Sequence, residues 1–87
     1  MATVTSSPTP NPDAMKYTLD RPLTTPMNLA DAEAAAAEGN AFAIAVFQAD
    51  GVASVFGTAN FVTITRVPGT AWETITAAVQ AAAAEHL

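Results

Sequence analysis

The only imidazole, His86, stands beside Glu85, a pairing that could move a proton in an enzyme or supply two ligands at a metal site. Either chemistry needs more. A metal site takes three or four converging donors, and acid–base catalysis takes an orienting group and a cleft. None of the 87 residues is Cys, so thiolate zinc sites, Cys-ligated iron–sulfur clusters, disulfides and Cys nucleophiles are excluded within this sequence. His86 instead stands where a cation favours the C-terminal end of a helix dipole. The carboxylates Asp13, Asp20, Asp31, Glu33, Glu38, Asp50, Glu73 and Glu85 all fall at cap, turn or solvent-face positions, and the four glycines form no phosphate-cradling loop. These residue types predict a protein that is not an enzyme and holds neither metal nor cofactor.

Recognition is the remaining chemistry. Lys16, Arg21 and Arg66 are the only cations against eight carboxylates, a net charge of −5, which argues against nucleic acid because a phosphate backbone needs clustered Lys and Arg. Lys16 and Arg66 each fall on the polar parity of an expected strand, where together they would make a small positive spot for an acidic partner. The run Pro8-Thr9-Pro10-Asn11-Pro12 is a stiff extended loop, since proline holds φ near −65°. A loop ordered in advance gives up little entropy on binding. The same residues would also make a rigid crossover, with Asn11 bonding its own backbone. Thr9, Asn11, Pro12, Lys16 and Arg66 are therefore the candidate partner-binding residues.

The elements that must position them follow from periodicity. Residues 3 to 6 are mostly β-branched, and Met15, Tyr17 and Leu19 alternate with Lys16, Thr18 and Asp20 as in a half-buried strand ended by Pro22. A helix is expected over 29–38, with Asn28 as N-cap, Asp31 in the first turn and Gly39 as the stop. Residues 40 to 50 read as a second helix that buries Phe42, Ile44, Val46 and Phe47. Val52 to Phe56 and Phe61 to Val67 read as an antiparallel hairpin joined by the four residues 57–60. Its phenylalanines are expected in the core, so that Phe56→Ala or Phe61→Ala would cost about 3 to 5 kcal/mol. Thr70 and Glu73 form the signature of a capping box ahead of a long last helix. That helix buries Trp72, Ile75, Val79 and Ala82 or Ala83, and turns Glu73, Thr76, Gln80 and Glu85 to water.

The fold class is α+β: a small antiparallel sheet of three to four strands with helices packed on one face, in a single domain over residues 1–87. Twenty-one of the residues are Ala, so the core is thin and the fold has little reserve. The N-terminus has neither the basic start nor the apolar stretch of a secretory signal, and the longest apolar run, residues 41 to 47, is too short to span a bilayer. A cytoplasmic location and no membrane association are expected. A monomer is favoured, although partly covered alanine faces at 34–37 or 81–84 would allow close approach of another helix.

Laid out in this order, the chain resembles the N-terminal domain of the NifU/Nfu family of iron–sulfur biogenesis proteins. Three blocks carry the resemblance. Thr9-Pro10-Asn11-Pro12-Asp13-Ala14-Met15-Lys16-Tyr17 is similar to the family's T-x-N-P-x-A-x-K-F/Y opening. Gly51-Val52-x-x-Val55-Phe56, followed by Phe61-Val62-Thr63-Ile64-Thr65-Arg66, is similar to its hairpin. Trp72 opens the last helix. Full-length members carry a second domain whose Cys-x-x-Cys holds the cluster between two subunits, and these 87 residues contain no such motif. The resemblance therefore implies an accessory role: a non-catalytic protein-binding module of iron–sulfur cluster biogenesis or delivery. The implied partner is a Cys-x-x-Cys scaffold or an apoprotein client. The alternative is an interaction or structural module that keeps the fold outside that pathway, since fold transfers more safely than function.

Overall fold

The computed structural model describes residues 3–23 and 26–87. The chain runs β1 (Val4–Pro8), β2 (Ala14–Leu19), β3 (Met27–Leu29), α1 (Ala32–Glu38), α2 (Ala41–Phe47), β4 (Val52–Thr58), β5 (Phe61–Arg66) and α3 (Trp72–His86). The strands form one sheet in the order β1-β2-β5-β4-β3, and every pairing is antiparallel. The α+β expectation holds, with five strands in place of three to four. The unforeseen strand is β3 at one edge, whose three residues are too few to show an alternation, while the β-branched stretch at residues 3–6 forms most of β1 at the other edge.

Parity decides what each strand buries. Tyr17 lies opposite Val62 and Met15 opposite Ile64, while Val55 faces both Ile64 and Leu29. These residues share one face of the sheet, and all but the partly buried Met15 are in the core. The helices cover that face with Ala35 from α1, Phe42, Ala43 and Val46 from α2, and Ile75, Val79, Ala82 and Ala83 from α3. Much of the helix contribution is methyl groups, which let α2 and α3 approach closely while Phe42, Tyr17 and the branched residues fill the space. Tyr17 is buried whole, and its hydroxyl shares a hydrogen bond of 2.9 Å with the Thr76 hydroxyl. Thr76 thus serves the core where the sequence placed it in water, because the phenol needs a polar partner once it is buried. Burial raises the Tyr17 pKa, and the bond to Thr76 lowers it by less.

Three boundaries differ from the sequence expectation. The first helix starts at Ala32 with Asp31 as N-cap, whose Oδ1 accepts from the Ala34 amide at 2.8 Å. Asn28 lies in β3 instead, because Met27 and Leu29 are buried against Gly57 and Val55 of the neighbouring strand. Gly39 does end the helix, at φ 64°. The hairpin connection is only Ala59 and Asn60, with Ala59 at φ 51°, so β4 extends through Gly57 and Thr58. At α3 the N-cap is Ala71 and no side chain caps the helix. Thr70 is used elsewhere, as described next. Among the described residues, no helix is long and apolar enough to cross a membrane.

Candidate functional site

The loop between β1 and β2 satisfies its own polar groups. The Thr9 hydroxyl lies 2.9 Å from the Asn11 carbonyl and 3.0 Å from that of Ala14, and it accepts from the Asn11 amide at 3.2 Å. The Asn11 side-chain Oδ1 accepts from the Asp13 amide at 2.9 Å, and its carbonyl accepts from the Ala14 amide at 3.0 Å. With three prolines fixing φ between these bonds, little backbone freedom is left. Asn11 and Pro12 stand exposed on that frame, and Thr9 is half-buried beneath it.

Arg66 ties this loop to the start of α3. Its amide donates to the Asp13 carbonyl at 2.8 Å and its Nε to Asp13 Oδ1 at 3.2 Å, while Nη1 donates to the Thr70 carbonyl at 2.8 Å. The guanidinium carbon lies 5.0 Å from the centre of the Trp72 ring, within cation–π range. Thr70 is held from two further sides. Its amide donates to the Val67 carbonyl, and its side chain packs on Gly51, where a Cβ would overlap it. Gly51 also has φ +90° and accepts from the Val67 amide at 2.7 Å. Thr70 therefore closes this turn and does not act as a cap.

Lys16 and Arg66 do not make one positive spot. Lys16 is registered opposite Thr63, three residues from Arg66, and an odd separation along a strand puts two side chains on opposite faces. Arg66 has the parity of Val62 and Ile64, toward the helices. Lys16 stands on the uncovered face, with Nζ 4.5 Å from the centre of the Phe61 ring. In the same cross-strand row, Ser7, Lys16, Thr63, Phe56 and Asn28 lie side by side. Phe56 is 44% exposed there and Phe61 is half-buried. Neither ring is in the sheet–helix core, so the expected cost of 3 to 5 kcal/mol for removing them is corrected downward. Val55 and Phe56 are adjacent and both apolar, and only the pairing with β5 decides which one faces the helices.

The five candidate residues thus occupy two places. Thr9, Asn11, Pro12 and Arg66 gather at the loop end of the sheet, and Lys16 stands on the uncovered face of the strand that the loop feeds. Sequence reasoning missed Asp13 and Thr70 as partners of Arg66 and Gly51 as the packing partner of Thr70: Asp13 and Gly51 are distant in sequence from the residues they meet, and Thr70 read locally as part of a capping box. His86 lies 4.0 Å from Glu85, and no third potential ligand joins them among the described residues. A cavity of about 320 Å³ opens near His86, Glu38 and Asn40. Asn40 is already engaged there, accepting from the Ala43 amide as the cap of α2 and donating to the Met27 sulfur.

The family described as "Scaffold protein Nfu/NifU N terminal" matches residues 4–87. The crystal structure of protein SAV1430 from Staphylococcus aureus is similar, at 25% identity and a TM-score of 0.76, covering 92% of this chain and 96% of that one. The solution NMR structure of SAV1430 gives 26% identity and a TM-score of 0.68, covering 94% of this chain and 89% of that one. No curated protein matches the chain.

Proposed function

We propose, since the chain belongs to the Nfu/NifU N-terminal scaffold family, that it is a non-catalytic accessory module of iron–sulfur cluster biogenesis or delivery that works through protein contacts in the cytoplasm. Its partner in this reading is a Cys-x-x-Cys scaffold or an apoprotein client. Cluster ligation rests on thiolates, which these 87 residues lack. The observation that carries the reading is the loop at residues 9–13. Its backbone bonds are closed internally, its outward side chains are uncharged, and Arg66 anchors it to the helix layer, so docking there orders very little. Thr9 and Arg66 hold the surface, Asn11 and Pro12 present it, and Lys16 borders it.

The test is binding of the purified chain to the Cys-x-x-Cys scaffold of the same host, measured by calorimetry alongside the melting temperature. Asn11→Asp keeps the Oδ acceptor of the turn but replaces the amide donor with a charge, and Lys16→Ala removes the neighbouring cation. A tenfold or greater loss of affinity at an unchanged melting temperature supports the docking role. Equal affinity for wild type and variants overturns it.

A further inference from the structure

The uncovered face of the sheet differs from the rest of the surface in charge. Lys16 is the only charged strand residue on it, and no carboxylate lies within the strands that form it. The carboxylates are in the helices, in the turns, or just past a strand end, as with Asp20, whose Oδ1 accepts from the Thr3 amide and pairs with Arg21. On a chain of charge −5, the strands of this face thus present one ammonium and no carboxylate. That ammonium lies over the Phe61 ring, 4.5 Å from its centre. Phe56, Phe61 and the neighbouring threonines are stiff side chains that lose little rotamer freedom on contact.

Size and backbone chemistry narrow the occupant. Five strands about 4.8 Å apart and about 6 residues long present a footprint of roughly 400 Å². A stable pair of folded proteins buries about 800 Å² on each side, so two such faces pressed together fall well short of a dimer. An extended peptide is unsuited as well, because its unpaired backbone groups find partners at a sheet edge and not on a sheet face. A helix satisfies its own backbone and crosses about 20 Å in roughly 13 residues.

We propose that the uncovered face, through Phe56, Phe61 and Lys16, receives an acidic amphipathic helix supplied by a protein partner. It completes a second helix layer, laying its apolar stripe on the two rings and a carboxylate on Lys16. This rests on the reading that the domain works through protein contacts, and it specifies the face and the chemistry of the segment that meets it.

The probe is a helix-constrained peptide of about 14 residues built from Leu, Ala and Glu, with Leu spaced i, i+3, i+4, i+7. A matching peptide with Lys in place of Glu is the comparison, and backbone amide shifts of the protein are the readout. The acidic peptide should shift β2, β4 and β5 and bind at least tenfold tighter than the basic one. Phe56→Ala should weaken it about tenfold, and Lys16→Glu should reverse the charge preference. Lack of binding by the acidic peptide at about 1 mM overturns the proposal, as does equal binding of both peptides. Shifts confined to residues 9–13 or to the helices also overturn it. So does occupation of this face by a second copy, seen as shifts with protein concentration alone, or by a single-stranded oligonucleotide in preference to the acidic peptide. If the Cys-x-x-Cys scaffold binds while the peptide does not, only this inference fails. If the peptide binds while no iron–sulfur protein does, the pathway reading fails and the surface stands.

Discussion

The same strands build two faces by alternation, and the two faces have opposite characters. Toward the helices, Tyr17, Val62, Ile64 and Val55 are sealed from solvent. On the other side Lys16, Thr63 and Phe56 remain accessible to different degrees. The two strand cations divide in the same way. Arg66, on the helix-facing parity, is spent on Asp13, the Thr70 carbonyl and Trp72, whereas Lys16 is half-buried with its ammonium over the Phe61 ring. One charge therefore works as a structural tie and the other stands outside that network, although their residue types suggest the same role.

The sharpest way to break this comparison is to delete one ring from each side. Phe42→Ala, at 2% exposure, should cost about 3 to 5 kcal/mol, and Phe56→Ala less than about 1 kcal/mol. Similar losses in the two melting temperatures would remove the distinction between the faces. Next in size is Gly51→Ala at the corner that closes the helix-covered side. The added methyl overlaps Thr70 and the backbone is at φ +90°, so the expected loss is about 2 to 3 kcal/mol. Gly39→Ala, with open space around it, serves as the reference for positive φ alone.

The cations come third. Arg66→Ala should cost about 1 to 2 kcal/mol because it leaves Asp13 and the Thr70 carbonyl without their donors. The Arg66 and Asp13 side chains are 22% and 35% exposed, which keeps the ion pair's own share small. Lys16→Ala should cost about 0.5 kcal/mol or less. Denaturant midpoints for the two variants decide it, and a larger loss at Lys16 would reverse their assignment. The Tyr17 hydroxyl probes the covered side through a single bond, and Tyr17→Phe should cost about 1 kcal/mol. Its sign with pH is fixed: because the folded state raises this pKa, the phenol's contribution is complete below about pH 10. It is lost as pH rises, since the unfolded chain ionises first. Tyr17 is the only tyrosine, so phenolate absorbance follows it alone, and Tyr17→Phe should flatten the alkaline loss of stability.

What the sequence reveals about these regions depends on how local the cause is. Met15, Tyr17 and Leu19 declare β2 by themselves, and residues 41 to 47 declare α2 once alanine's helical preference is weighed above alternation. β3 is three residues long, too short for a period, and exists because Gly57 and Val55 lie beside it. Thr76 reads as solvent-facing on the helix, yet a phenol 59 residues away claims it. At the candidate site, the loop's stiffness and the Asn11 turn were legible from Asn11 and the prolines, whereas the Thr9 hydroxyl bonds were not. The division of Lys16 from Arg66 was not, because it depends on the register between β2 and β5.

The edges of the sheet carry one more consequence. β1 ends on Pro8, whose nitrogen has no hydrogen to donate, and β3 at the opposite border has only three residues. Neither margin offers the long, flat row of unpaired amides on which a further strand can grow. The open face can therefore remain exposed at high protein concentration without the sheet polymerising edge to edge into fibres.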